Sequence, residues 1–230
     1  MKKIVIIPAY NEEESILSTV TDILKKAPDF DYVIVNDCSK DNTLEICKKH
    51  GLHVLDLPIN LGIGGAVQTG YLYAYTNGYD IAVQMDGDGQ HDAQYLQLMV
   101  QELKEQELDM VIGSRFIENE GFQSSRLRRF GIQFFTFLIQ ILFGQKITDA
   151  TSGMRMCNRK VMELFIKDYP RDYPEPETAA RLLRHKYKIK EVPVVMKERM
   201  GGISSISLGK SAYYMVKVSL AILIERLRSI

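Results

Sequence analysis

Two aspartates set two residues apart, in Asp86-Gly87-Asp88-Gly89-Gln90-His91, carry the strongest chemical signal in the chain. They follow an apolar run, Ile81-Ala82-Val83-Gln84-Met85. Two carboxylates separated by glycine at a strand end can face one hard divalent cation. Mg2+ or Mn2+ takes one or two protein carboxylates and completes its shell with substrate phosphate oxygens. A cation so held neutralises a diphosphate leaving group. Other uses of the same residues weigh against this one. An acidic turn before a helix, with Asp92 as the cap, is the plain structural reading. A calcium loop fits poorly, because His91 stands where the EF-hand needs glycine and Gln97 where it needs glutamate. An aspartyl phosphatase uses Asp-x-Asp-Gly, its first aspartate attacking phosphorus. That motif sits on a first strand, and here three strands come before it.

Two further segments end apolar runs in the same way, and a third opens a helix. Pro8-Ala9-Tyr10-Asn11-Glu12-Glu13 closes the first. Tyr10 suits packing against a base, and the backbone at Pro8 and Ala9 can bond the edge of that base. The acidic run from Glu12 also suits a helix N-terminus. Asn36-Asp37-Cys38-Ser39-Lys40-Asp41 closes the second, with Asp37 placed to accept from a base or ribose; for Ser39 and Asp41 a helix-entry turn is as good a reading. The loop Asn60-Leu61-Gly62-Ile63-Gly64-Gly65-Ala66 leads into a helix, and its amides can approach a phosphate. It is not a dinucleotide loop, since Val67 stands where that fingerprint needs glycine or alanine.

The elements that must position these residues alternate. Strands are expected at 4–7, 32–35, 53–57, 81–85 and 110–112, with helices at about 11–26, 42–50, up to Tyr75, and 93–106. This pattern argues for an α/β fold, a mostly parallel sheet with helices on both faces. Ligands of such sheets bind beyond the carboxyl ends of the strands, so the three strand-end motifs should line one rim. The second half reads differently: a polar loop at 116–125, an apolar helix at 130–143, a strand at 189–197, a Gly/Ser-rich loop at 199–208 and a second apolar helix over the last twenty residues.

The chain has 230 residues, enough for one large domain with a sizeable core. Its formal net charge is zero, which gives no case for bulk nucleic-acid binding. Cys38, Cys47 and Cys157 show no metal-ligand spacing and read as reduced thiols in the cytoplasm. The sequence shows no signal-peptide pattern and no apolar run of the roughly 20 residues that a spanning helix needs.

Taken together and in order, these motifs resemble family 2 glycosyltransferases of the GT-A fold. That family usually has Asp-Asp-x-Ser after the second strand; here Asn36 replaces the first aspartate and Asp37 keeps the nucleotide position. Further on, Gly113-Ser114-Arg115, the basic stretch Arg126-Leu127-Arg128-Arg129, Asp149-Ala150-Thr151-Ser152-Gly153-Met154-Arg155, Glu191-Val192-Pro193 and the segment from Arg199 to Ser204 look like the dolichyl-phosphate mannose synthase branch. The resemblance covers about 200 residues. It implies Asp86, Asp88 and Gln90 as metal ligands, with Mg2+ or Mn2+. It implies Pro8, Ala9, Tyr10, Glu12, Asp37, Gly65, Asp86, Gly87 and Asp88 at the nucleotide. It places Arg199 on the donor diphosphate, and Arg115, Ser152 and the arginines 126, 128 and 129 on an acceptor phosphate.

The residues support that branch on their own. A phosphate acceptor is already anionic, so it needs cations to hold it and no general base. The arginines answer that need, and no Glu-Asp pair follows the acceptor region; the nearest carboxylates are Glu175 and Glu177, in Tyr173-Pro174-Glu175-Pro176-Glu177-Thr178. The apolar helices at 131–143 and 213–227 suit an interfacial position against anionic headgroups; a buried core helix or a homodimer contact is the bland alternative. The expected protein is one catalytic domain at 1–206, with a nucleotide half at 1–115 and an acceptor half at 116–206, followed by an amphipathic helix at 207–230. Its expected donor is UDP-glucose or UDP-N-acetylglucosamine, its acceptor a polyprenyl phosphate serving cell-surface polysaccharide synthesis. Its expected place is the cytoplasmic face of a membrane, bound peripherally or through a small membrane-protein partner, with homo-oligomers open. The rivals are transfer to a saccharide hydroxyl with Glu177 or Asp149 as base, a phosphatase, and a non-enzymatic nucleotide- or membrane-binding module.

Overall fold

Alternation along the first strand sets the layers. In β1 (Lys3–Ala9), Ile4 and Ile6 enter one apolar cluster and Val5 and Ile7 another, and all four are fully buried. Successive side chains on a strand point to opposite faces, so a strand buried on both sides demands helices on both sides. The computed structural model describes residues 1–118, 120–122, 126–198 and 208–228. On one face lie α1 (Ile16–Lys26), α2 (Thr43–Lys49) and α4 (Leu96–Glu105), through Ile16, Ile23, Cys47, Leu96 and Met99. On the other lie α3 (Gly62–Thr76), α5 (Arg126–Phe143), α6 (Arg159–Lys167), α7 (Pro174–Arg184) and α8 (Leu208–Leu227). Tyr71, Phe135, Phe165, Leu182 and Ile222 anchor that second layer.

The remaining strands are β2 (Asp31–Asn36), β3 (Val54–Asp56), β4 (Ile81–Gln84), β5 (Met110–Ser114), β6 (Arg155–Asn158) and β7 (Ile189–Pro193). The sheet order is β3-β2-β1-β4-β6-β5-β7. β6 alone runs antiparallel, between β4 and β5. The mostly parallel sheet with helices on both faces is as the alternation requires. The antiparallel strand was not anticipated. Its short apolar run, Met154 and Met156 around Arg155, carries no strong strand signal, and Arg155 is itself buried.

Several boundaries move for physical reasons. The first helix begins at Ile16, later than about residue 11, because Asn11 adopts a left-handed φ of 59°. The glycine-rich segment is no loop: α3 starts at Gly62 and contains Gly64 and Gly65. Gly64 is needed there because a Cβ would lie 2.0 Å from the Pro170 carbonyl oxygen. α5 begins at Arg126, so the basic stretch is its first turn. The strand expected to run to 197 ends at Pro193. Within 116–125, Gly121 bridges to Met196 and Phe122 N–H donates to the Met196 carbonyl at 3.0 Å. The segment 199–207 lies outside the described residues.

The last helix is joined to α7 by buried charge. Glu225, 1% exposed, accepts from Arg181 at 2.8 Å and lies 3.3 Å from the Arg184 Nε. Buried charges persist only when paired.

Candidate active site

β1, β2 and β4 are parallel neighbours, so their carboxyl ends share one edge. The three strand-end motifs therefore meet, as expected. Asp37 N–H donates to the Ala9 carbonyl at 2.9 Å. The Asp86–Asp88 turn rests on the first motif: a Cβ on Gly87 would lie 3.1 Å from the Pro8 carbonyl and 3.5 Å from the Glu12 side chain. Thr19 of α1 holds the same turn by donating to the Gly87 carbonyl at 3.2 Å. Tyr10 stands exposed at this rim, open to stacking.

The two aspartates differ in setting. Asp86 has a side chain 39% exposed, with Gln84 Nε2 donating to its Oδ1 at 3.3 Å. Asp88 is 7% exposed and accepts from Gln90 N–H at 3.0 Å. Asp92 caps the next turn by accepting from Gln94 N–H, as its position suggested. Among the described residues no group of three or more His, Cys, Asp or Glu is clustered for a metal. The donor set is two hard carboxylates, one of them open to solvent. That suits Mg2+ or Mn2+, which bind through few protein oxygens and take others from a substrate phosphate. Gln90 spends its amide otherwise: Nε2 donates to the Lys197 carbonyl at 3.2 Å, and Lys197 N–H returns a bond to the Gln90 carbonyl at 2.9 Å. Lys197 Nζ also lies 3.0 Å from Asp92. The chain entering Arg199 is thus tied beside the aspartates, although Arg199 itself lies outside the described residues.

Asp37 is turned inward. It is 3% exposed, and its Oδ1 accepts from Leu61 N–H at 2.6 Å, at the start of α3. Burial raises its carboxyl above the usual range, against the bonds it accepts from Leu61 and Gly62. Asn36 donates to Asp56 at 2.7 Å, where an aspartate would set two carboxylates together. Gly65 packs against Leu61, where a Cβ would lie 2.4 Å from the Leu61 Cβ.

In the second half the structure builds a chain of braces. Glu191 accepts from Thr148 N–H and Asp149 N–H, each at 2.7 Å. Asp149, fully buried, grips Arg115 through Nε and Nη2, each at 2.7 Å. Burial disfavours the Arg115 charge, but the Asp149 bonds and charge outweigh it and leave the group more basic than usual. Arg115, expected at the acceptor phosphate, is only 5% exposed and braces the site from beneath through Asp149. Ser152, expected at the same phosphate, is fully buried, and its hydroxyl accepts from Met154 N–H at 3.2 Å. Arg129 stays at the rim, its guanidinium 5.5 Å from the centre of the Phe116 ring, which Arg115 approaches at 5.1 Å. Arg128 is exposed on the same turn. Arg126 opens α5, with its side chain outside what the structure describes.

Sequence reasoning gave Arg155 no role beyond its place in the 149–155 motif, and took Glu175 only as one of the two carboxylates nearest the place of a base. Arg155 is 1% exposed and donates to the carbonyls of Ala150, Ser152 and Glu175 and to the Thr178 hydroxyl. It fastens the 150–152 turn to the start of α7. Glu175 lies within reach of the charges on Arg155, Asp86 and Arg128, and burial raises its carboxyl to about 7. Its signal was present, a carboxylate between two prolines at a helix start. The base candidates of the hydroxyl-acceptor reading are occupied: both oxygens of Asp149 are bonded, and Glu177 is paired with Arg181 at 3.1 Å.

A family model described as glycosyl transferase family 2 matches residues 4–165. A UDP-N-acetylglucosamine–dolichyl-phosphate N-acetylglucosaminyltransferase of Methanococcus voltae is 31% identical over 212 residues, covering 82% of this chain and 83% of its own. An undecaprenyl-phosphate mannosyltransferase of Micrococcus luteus is 30% identical over 218 residues, covering 91% and 89%. Among solved structures, glucosyl-3-phosphoglycerate synthase from Mycobacterium tuberculosis, in complex with Mn2+, UDP-glucose and phosphoglyceric acid, superposes with a TM-score of 0.75 at 16% identity. That match covers 100% of this chain and 81% of the synthase, and it shows a shared fold.

Proposed function

Because the chain belongs to glycosyl transferase family 2, we propose that it moves a sugar from a nucleotide diphosphate, UDP-glucose or UDP-N-acetylglucosamine, to a polyprenyl phosphate. The observation that carries this reading is the makeup of the second half of the site. Its rim offers Arg128 and Arg129, with Arg115 beneath, while Asp149 and Glu177 are committed to ion pairs. Such a site holds an anion that is already a nucleophile. The names of the relatives, which act on dolichyl and undecaprenyl phosphates, agree.

The donor base stacks on Tyr10 and meets the backbone at Pro8 and Ala9. Asp86 and Asp88, with Gln90, would hold Mg2+ or Mn2+, which when bound would supply counter-charge to the diphosphate. Arg199 contacts the same diphosphate. An acceptor phosphate oxygen, held by Arg128 and Arg129, forms a bond to the anomeric carbon. The bond from that carbon to the diphosphate breaks, its electron pair leaves with the nucleotide, and the configuration inverts. Closure of 116–125 over the donor excludes water that would hydrolyse it.

The acceptor's lipid brings the protein to a membrane surface. α5 exposes Phe130, Phe134, Phe137 and Ile141 on one stripe, and α8 exposes Tyr213, Val216, Leu220 and Leu227. Monomeric surfaces seldom carry such continuous apolar stripes. Among the described residues no helix is long and apolar enough to cross a membrane, so we assign these stripes to peripheral docking at the cytoplasmic face.

The test incubates the protein with liposomes containing undecaprenyl phosphate, Mn2+ and a panel of labelled UDP- and GDP-sugars. Label should enter a lipid fraction and be released by mild acid. Label found only in water-soluble saccharide would sink the acceptor assignment.

A further inference from the structure

The Asp86 main-chain N–H donates to His91 Nδ1 at 3.0 Å. That ring nitrogen therefore carries a lone pair, and the imidazole proton sits on Nε2. Nε2 lies 4.0 Å from Asp86 Oδ2, on a His91 side chain 1% exposed. It has no hydrogen-bond partner among the described residues. A buried donor without an acceptor is rare and calls for an explanation. The acceptor at hand is the Asp86 carboxylate, and a small rotation of that side chain closes the gap. Gln84 faces the other oxygen: fully buried, it donates through Nε2 to Asp86 Oδ1 at 3.3 Å. Its Oε1 has no partner either. The carboxylate requires this amide orientation, since the reverse would set oxygen against oxygen.

We propose that His91 and Gln84 form an inner hydrogen-bonding seat, one donor behind each oxygen, that aims the Asp86 carboxylate at the divalent cation. His91 is a positioning residue that acts through Asp86. Ligating carboxylates are themselves hydrogen-bonded, and loss of such outer partners typically weakens metal binding by about 10–100-fold. The inference rests on the metal reading given under Proposed function.

The experiment measures Mn2+ binding to the purified protein in the presence of UDP, by calorimetry and by the Mn2+ spin-resonance signal. His91→Asn keeps an acceptor for the Asp86 N–H and removes the Nε2 donor; His91→Gln restores a donor at that reach. Mn2+ should bind roughly tenfold or more weakly to His91→Asn, with partial recovery in His91→Gln. In transfer assays the Mn2+ requirement of His91→Asn should rise while kcat at saturating Mn2+ holds. Wild-type Mn2+ affinity in His91→Asn would overturn the proposal. If that variant does not fold, Gln84→Met decides in the same way: weaker binding supports the seat and wild-type affinity overturns it. Asp86→Ala separates the two levels. Wild-type affinity there would remove the metal reading itself, whereas lost affinity there beside normal affinity in His91→Asn would sink only the seat.

Discussion

Gly153 and Asp86 are in contact across the site: a Cβ on Gly153 would lie 2.7 Å from Oδ2 and 2.9 Å from Oδ1 of Asp86. Real Cβ atoms do not come so near, so Gly153→Ala must turn the carboxylate aside. The backbone at Gly153 is not in the left-handed region, and the displaced atoms end a short movable side chain. The cost should fall on placement more than on folding. We expect a loss of about 1 kcal/mol, the low end for an added methyl, in urea denaturation and a drop of about 100-fold in sugar transfer, the size a 1 Å misplacement can cause. Equal activity in the variant would show that Asp86 has freedom to spare.

Arg115 and Asp149 give a stability prediction of opposite kind. The pair is buried and bonded at two points. Asp149→Ala leaves the guanidinium buried with its main counter-charge gone, which typically costs about 3–5 kcal/mol. Replacing both, as Arg115→Met with Asp149→Leu, should cost far less, because neither charge is then stranded. Denaturation curves of the two variants check this. A double variant no more stable than Asp149→Ala would mean that the side-chain bonds to Thr151, and not the charge pair, hold the turn.

The rim of the nucleotide half was legible because each motif follows an apolar run, and strand ends of a parallel sheet share an edge. Pro8, Asp37 and Asp86 needed only that rule. The acceptor half was less legible. Arg115 and Ser152 have the composition of a phosphate site, yet their partners Asp149 and Met154 lie 34 and 2 residues away, and sequence spacing cannot show which of two such groups is turned inward. Gly64 and Gly65 looked like a phosphate cradle because close packing and phosphate approach ask for the same residue. β6 escaped notice because it is short and opens on a charged arginine, satisfied by carbonyls that come from separate segments.

Glu175 should give the protein a pH-dependent stability. Burial holds its carboxyl at about 7, against 4.5 for an ordinary glutamate. Between those values the folded chain binds more protons than the unfolded one, so stability falls as pH rises from about 4.5 to 7. Glu175 is partly exposed, so solvent screens the effect, and we expect a loss on the order of 1–2 kcal/mol. Glu175→Gln should flatten that slope in denaturation at pH 5 and pH 8. It should also retain transfer to undecaprenyl phosphate; abolished transfer with normal donor binding would revive a general base and a hydroxyl acceptor.

The exposed stripes on α5 and α8 make the membrane reading testable apart from the chemistry. Ile141 is 63% exposed and Leu220 54% exposed, so neither supports the core that Phe135, Ile139 and Ile222 form beneath. Changing both to glutamate should leave folding within about 0.5 kcal/mol, as for other surface substitutions. In an anionic bilayer the same change removes two apolar contacts and adds two repelled charges. Sedimentation with liposomes of phosphatidylglycerol and phosphatidylcholine should show wild-type protein in the pellet and the double variant in the supernatant. Slow hydrolysis of the sugar nucleotide, which needs only the donor rim, should stay unchanged. Transfer to lipid-embedded acceptor should fall at least tenfold, and a short-chain, water-soluble prenyl phosphate should restore it. If the variant still pellets with the liposomes, the stripes face something other than lipid. In that case a shift of the wild-type protein to a single larger species in analytical ultracentrifugation, abolished in the variant, would identify a second copy of the chain as the occupant.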